Sequence, residues 1–247
     1  MRTMILAAGR GERMRPLTDV CPKPLLPAGG VPLIGWHLRR LADAGFREVV
    51  INHAWLGEQI ERRLGDGSSW GLSIRYSPES QALETAGGIA QALPMLGDDP
   101  FLVINGDIWC DWDPARARSI GQQLTALDWL AWCVLVDNPE HHPAGDFVLD
   151  GGRLDGGPHD ATRLPDADTP RLTFSGIGIY HPQLFRSVAR GSRAPLAPLL
   201  RQAAAQGLAG AERHDGRWTD VGTPQRLARL DAQLTNPDAP SRASDRP

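Results

Sequence analysis

Cysteine is scarce in this chain: Cys21, Cys110 and Cys133 are the only three in 247 residues. An odd number, with neither CxxC nor metal-finger spacing, excludes a disulfide framework and points to a reduced, cytoplasmic setting. Excess positive charge is also missing. With a formal net charge of −3 there is no broad basic face for tracking a polyanion, so no nucleic-acid partner is expected and any anion site must be local. No apolar run approaches the ~20 residues of a membrane helix, and the first residues lack the pattern of a signal peptide, so no membrane association is expected. Hydrophobic residues, at 41%, suffice for a real core.

Within that ordinary composition the pattern is periodic. Apolar runs at Ile5–Ala8, Val49–Ile51, Leu72–Tyr76, Phe101–Ile104, Leu130–Val136 and Leu172–Tyr180 read as buried strands. Helical spacing occupies Leu33–Ala44, Trp55–Leu64 and Gly87–Leu96, and Pro195–Gln206 and Pro224–Leu234 read as helices opened by proline. Strands alternating with helices predict an α/β fold with a mainly parallel central sheet. Asp150–Pro170 is rich in Gly, Asp and Pro and reads as a hairpin and loop excursion; one domain over 1–235 is expected, followed by a disordered tail over 236–247.

The stretch "MILAAGRGERMRPLTDVCPKPLLP" leaves a strand and at once spends Gly9 and Gly11, then crowds Arg10, Arg13, Arg15 and Lys23 into one region. Glycines let a loop bring backbone N–H groups to a phosphate, and neighbouring cations neutralise it. A solvated arginine loop is the alternative reading. The loop is neither of the two common nucleotide motifs: no Gly-Lys-Ser/Thr follows, and Met14 stands where a dinucleotide fingerprint needs its third glycine. Pro22 and Pro24 stiffen the backbone around Lys23.

Two aspartates complete the pattern. Asp107 ends the apolar run "FLVINGD", and Asp220 sits in "GRWTDVGTP" ahead of the helix begun by Pro224. Alone, Asp107 is more often a turn residue than a ligand. Together, at two strand tips, they form a donor set for one Mg2+, which takes one or two carboxylates and completes its shell with phosphate oxygens and water.

"LAAGRGERMRPLT", "PKPLLP", "LETAGG", "NGD" and "WTDVGT" occur in the order seen in the sugar-1-phosphate nucleotidyltransferases, and the chain resembles this family from Met1 to about Leu234. A narrower likeness, in "INHAWLGEQIE", "LSIRYSPE" and "VDNPEHH", is to its uridylyltransferases acting on N-acetylmuramate α-1-phosphate in peptidoglycan recycling. The resemblance implies a single Rossmann-like (GT-A-like) domain with UTP and a sugar 1-phosphate as partners and Mg2+ as cofactor. It further implies that Ala8, Gly9, Gly11, Glu12 and Arg13 line the triphosphate, that Lys23 meets the α-phosphate, and that Asp107 and Asp220 hold the metal. Arg13, Lys23, Asp107 and Asp220 would then be the catalytic set.

For the base, the family's pyrimidine-reading glutamine falls on Glu79, which keeps a mannose-1-phosphate guanylyltransferase as the alternative. Gly87 or Gly88 is expected to meet the base edge, and Glu84 and Thr85 either shape that pocket or cap a helix. Asn105, Glu140, Gly145, Asp146, Ser175 and Gly176 fall where the family binds hexose. The glutamate-lysine-proline element that grips the sugar in many relatives is absent between Asp150 and Pro170, which suits a bulky 3-O-lactyl substituent. A catalytically silent nucleotide-sugar sensor is the non-enzyme reading, and a complete metal pair argues against it. No hexapeptide repeat follows, so no fused acetyltransferase is expected, and a monomer is.

Three further features are expected to carry no metal or catalysis. His141 and His142 diverge as neighbours in a loop. Asp111 and Asp113 lack the glycine and distal glutamate of a calcium loop. His37 shares an apolar helix face with Ile34 and Leu41 and reads as a core histidine.

Overall fold

A computed structural model describes residues 1–155 and 171–236. In chain order the first half runs β1 (Thr3–Leu6), α1 (Leu17–Val20), β2 (Pro27–Ala28), β3 (Val31–Pro32), α2 (Leu33–Asp43), β4 (Glu48–His53), α3 (Gly57–Leu64), β5 (Ser73–Pro78), α4 (Glu84–Leu96) and β6 (Phe101–Asn105). The second half runs β7 (Ile108–Cys110), α5 (Arg116–Ala126), β8 (Ala131–Val136), β9 (Phe147–Asp150), β10 (Arg153–Asp155), β11 (Arg171–Tyr180), α6 (Ala197–Ala205), β12 (Ala209–Arg213), β13 (Trp218–Asp220) and α7 (Pro224–Thr235).

The central sheet has the order β5-β4-β1-β6-β11-β8-β12-β10-β9. Its first four strands are parallel, as βαβ units require. Beyond β6 the expectation of a mainly parallel sheet needs refinement: β11 lies antiparallel between β6 and β8, and β9 and β10 form an antiparallel hairpin, so the sheet is mixed around a parallel core. β9 also pairs with the start of β11, which curls this half of the sheet back on itself. The hairpin turns at Gly151 and Gly152 (φ 53° and 84°), within the expected loop excursion. The rest of that excursion, from residue 156 to 170, and the expected tail from 237 lie outside the described residues.

Alternation along the strands divides the core into two layers. Ile5, Val49, Ile51, Leu102 and Ile104 face α2, α3 and α5, whereas Met4, Val50 and Val103 face α4 and α6. A third apolar cluster, of Met14, Leu26, Leu33, Trp109, Val221, Leu227 and Leu230, docks α7 against the segment that follows β1. This small cluster fixes the relative placement of the glycine loop, Asp107 and Asp220.

Most expected elements are present with shifted ends. β1 stops at Leu6 rather than Ala8, because the Ala7 N–H leaves the ladder to donate to Asn52 Oδ1 at 2.9 Å. α5 and β12 were not expected. The first carries three arginine or serine residues in its first turn and the second is only five residues with a glycine at its second position, so neither shows a clean apolar period.

A candidate active site at the carboxyl ends of the parallel strands

The loops after β1 and β6 and the first turn of α4 enclose a cavity of about 290 Å³. Ala8, Gly9, Lys23, Asn105 and Asp107 line it, together with Asn52, Glu84 and Thr85. A second cavity, of about 390 Å³, shares Glu84, Thr85 and Asn105 with the first and is closed by Asp146, Phe147, Phe174 and Leu200 among others. The two are one cleft at the point where open α/β sheets bind ligands.

The four cations of the glycine loop are not equivalent. Arg10 donates to the Thr18 carbonyl and to Asp19 at 2.8 and 2.9 Å, and its guanidinium lies 3.8 Å from the centre of the Trp55 ring. Arg15 pairs with Glu12 and Asp19 at 3.4 and 3.1 Å. These two brace the loop, and Glu12 is spent on them. Lys23, whose side chain is only 9% exposed, donates Nζ to Asp107 Oδ2 at 2.7 Å. Arg13 is exposed and, among the described residues, has neither hydrogen bond nor ion pair. Gly11 sits at φ 69° and its carbonyl accepts from the Thr18 hydroxyl at 2.8 Å, so it shapes the loop from behind the cavity.

Asp107 and Asp220 are brought side by side by backbone pairing. β13 runs antiparallel to β7 with Asp220 opposite Ile108, and the Val221 N–H donates to the Asp107 carbonyl at 2.8 Å. Both carboxylates are partly exposed. Asp220 Oδ1 accepts from Arg226 Nη1, and His141 Nε2 lies 3.0 Å from the same oxygen. Two hard carboxylates on paired backbone segments, each balanced by a cation, suit the oxygen chemistry of Mg2+. His37 holds the base of this arrangement: it is buried, its Nε2–H donates to the Ile108 carbonyl at 2.9 Å, and burial pushes its pKa down to about 4.

The base-side expectations fare differently. Glu79 is buried outside the cavity, with Oε1 accepting from Asn52 Nδ2 at 2.6 Å and Oε2 from the Leu83 N–H at 2.8 Å. Gly87 and Gly88 do not border the cleft either. A Cβ at Gly87 would strike the Ser192 carbonyl, and one at Gly88 would come within 2.7 Å of Asn52 and Glu79, so both glycines serve close packing of α4. Glu84 lines both cavities, held at φ 61° on the first turn of α4, with its carboxylate tied to Arg193 at 2.9 Å.

On the sugar side, β11 carries a bulge between Phe174 and Ile177 that places Ser175 and Gly176 behind Asn105. Gly176 has φ 86°, and a Cβ there would lie 2.7 Å from Asn105 Nδ2. The Ser175 hydroxyl accepts from the Ile177 N–H at 3.2 Å, so it stabilises the bulge instead of facing the cleft. Asp146 lines the second cavity, with Oδ2 accepting from the Phe174 N–H at 2.9 Å and Oδ1 3.1 Å from His142 Nε2. Gly145 (φ 61°) turns the chain tightly against Arg171, and Glu140 is exposed on the same loop.

Asn52, which lines the first cavity, and Arg226, paired with Asp220, were not singled out in the sequence, and His141, beside the same carboxylate, was weighed there only as a metal ligand. Asn52 offered a faint signal, as a polar residue at the end of the apolar strand "VVINH". Away from the cleft, Asp113 accepts from the Ala115 N–H, and Cys110, Asp111 and His214 bring donor atoms within 4.8 Å of one another. His214 Nε2 lies 2.7 Å from Asp111, and burial pushes the Cys110 thiol up to about 11, so the sulfur stays protonated.

Residues 2–236 match the model of the Nucleotidyl transferase family, and the chain belongs to that family. It is 53% identical to the N-acetylmuramate alpha-1-phosphate uridylyltransferase of Neisseria meningitidis serogroup B, over 94% of this chain and 97% of the relative. The enzyme of the same name from Caulobacter vibrioides is 32% identical over 94% of this chain and 96% of its own length. Among solved structures, a Bacillus anthracis protein described as a glucose-1-phosphate thymidylyltransferase superposes with a TM-score of 0.80 over 96% of both chains at 23% identity, a likeness of fold. Among the described residues no helix is long and apolar enough to cross a membrane.

Proposed function

We propose that this nucleotidyltransferase transfers UMP from UTP to N-acetylmuramate α-1-phosphate, giving UDP-N-acetylmuramate and pyrophosphate. The observation that carries the reading is the 53% identity to the Neisseria enzyme over almost the whole of both chains. In the reaction a phosphate oxygen of the sugar attacks the α-phosphorus of UTP in line, and the bond to the β-phosphate oxygen breaks. Such transfers ask the protein mainly to position two polyanions and to offset charge. A sugar phosphate is already ionised at neutral pH, so no general base is required.

The residues take roles that follow from their places. The loop from Ala8 to Arg13 receives the triphosphate, with Gly9 at the cavity wall and Arg13 as the uncommitted cation. Lys23 is the buried ammonium aimed at the α-phosphate, held in line by Asp107. Asp107 and Asp220 would hold Mg2+, which when bound supplies further charge neutralisation at the phosphates. The uracil side is given to the backbone of Glu84 and Thr85, with Glu79 and Asn52 as its support. The cavity closed by Asp146, Phe147 and Phe174 receives the sugar, and its apolar wall suits the methyl groups of an N-acetyl, 3-O-lactyl hexose.

Residues 1–235 act as one domain, working as a monomer in the cytoplasm within peptidoglycan recycling. Incubation of the protein with UTP, N-acetylmuramate α-1-phosphate and Mg2+, followed by mass spectrometry, tests the reading. UDP-N-acetylmuramate is the expected product, and its absence would exclude this transfer.

A further inference from the structure

Arg226 lies in the first turn of α7, behind the N-cap Thr223, whose hydroxyl accepts from the Arg226 N–H at 3.3 Å. Its guanidinium is divided between two tasks. Nη1 is anchored on Asp220 and lies 2.7 Å from His141 Nε2, while Nη2 has no partner among the described residues. That second nitrogen lies over Gly222, where an added Cβ would press against it and would stand 3.2 Å from Arg13 Nη2. Two arginines from opposite ends of the chain therefore converge on one glycine. Of the two, only Arg226 has a carboxylate partner among the described residues, Asp220.

Two guanidinium groups that share a single carboxylate leave a net positive site, and guanidinium forks suit phosphate oxygens. Neither arginine lines the two cavities of the cleft. In an in-line displacement the leaving group departs on the side opposite the attacking oxygen. Cations that stand beside Asp220 and outside the acceptor cavity are thus placed for the leaving group and not for the sugar. We infer that Arg226 is a second polyphosphate-binding residue, which joins Arg13 in holding the terminal phosphates of the nucleoside triphosphate and the pyrophosphate they become; the inference rests on the nucleotidyl-transfer reading above. The anchor on Asp220 and His141 fixes the guanidinium before the ligand arrives, so little side-chain entropy is lost on binding. Gly222 keeps the space between the two arginines open.

The test is calorimetric titration of the full chain, with Mg2+ in excess, against inorganic pyrophosphate and separately against UDP-N-acetylmuramate, which carries no leaving phosphates. Arg226→Gln is expected to weaken pyrophosphate binding roughly tenfold or more while leaving the nucleotide sugar within about twofold, since a hydrogen bond to a charged group is lost only with the first ligand. Gly222→Ala, which inserts a methyl group between the arginines and leaves their charges intact, is expected to move the same ligand in the same direction. Unchanged pyrophosphate affinity in Arg226→Gln would overturn the inference, and so would equal weakening of both ligands, which marks a role only in holding Asp220. If the unaltered protein failed to bind the nucleotide sugar, the substrate reading would fall while the pyrophosphate comparison still decided the role of Arg226.

Discussion

Lys23 donates Nζ to Asp107 Oδ2 at 2.7 Å across a separation of 84 positions in sequence. The ammonium is nearly sealed from solvent, whereas the carboxylate side chain is 45% exposed, so the pair is an internal cation held at the cleft by a more accessible anion. Lys23→Ala removes the cation and should lower kcat by roughly 100-fold or more, by analogy with loss of one preorganised donor at a developing charge. Asp107→Ala leaves Lys23 buried and unpaired and should lower stability by about 1–3 kcal/mol as well as activity. Denaturant unfolding of both variants beside their turnover checks the assignment. A Lys23→Ala protein with full activity would remove Lys23 from the catalytic set.

Gly176 tests the bulge that supports Asn105. Its φ of 86° and the 2.7 Å approach to Asn105 Nδ2 mean that Gly176→Ala combines backbone strain with displacement of Asn105, which both cavities share. The expected cost is about 1–3 kcal/mol of stability. Steady-state kinetics should show KM for the sugar phosphate rising more than KM for UTP, because the bulge lies on the acceptor side.

Glu79 should prove a structural residue. Both of its oxygens already accept from Asn52 and Leu83, so Glu79→Ala strands two buried donors and should cost about 1–3 kcal/mol. The ratio of kcat/KM for UTP and GTP should stay nearly constant in the protein that remains folded. A large shift of that ratio would return Glu79 to the role of base reader.

Acid sensitivity should trace to His37. Its folded pKa of about 4 lies below the ordinary 6.5, so between those values the unfolded chain binds a proton that the native protein refuses. Stability present above pH 6.5 is therefore lost as pH falls towards about 4, by up to about 3 kcal/mol. Urea unfolding at a series of pH values should show this slope, and His37→Gln should flatten it.

How much of this was legible in the sequence depended on whether the signal was local. The strand "FLVING" and the glycine loop announce themselves, because apolar period and glycine content report backbone behaviour within a few residues. The cleft contacts of Lys23, Asn105 and Asp107 follow from those strand ends. The meeting of His141 with Arg226 was invisible for the opposite reason: the two lie 85 positions apart, the histidine reads alone as one of a diverging loop pair, and the arginine as a solvated helix residue. The packing roles of Gly87 and Gly88 were hidden too, since a glycine beside a ligand and a glycine beside Ser192 look the same in one dimension. Glu79 was assigned by motif position, and only the fold reveals that Asn52 and Leu83 occupy it.

The identity of the two substrates decides the function. The direct measurement is pyrophosphate release by the purified protein with Mg2+, with UTP and GTP each paired with N-acetylmuramate, mannose and glucose 1-phosphates. Turnover concentrated in the pair of UTP with N-acetylmuramate 1-phosphate is the predicted result. Turnover that favours GTP with mannose 1-phosphate would contradict it, leaving the cleft a nucleotidyltransferase site with a different base and sugar.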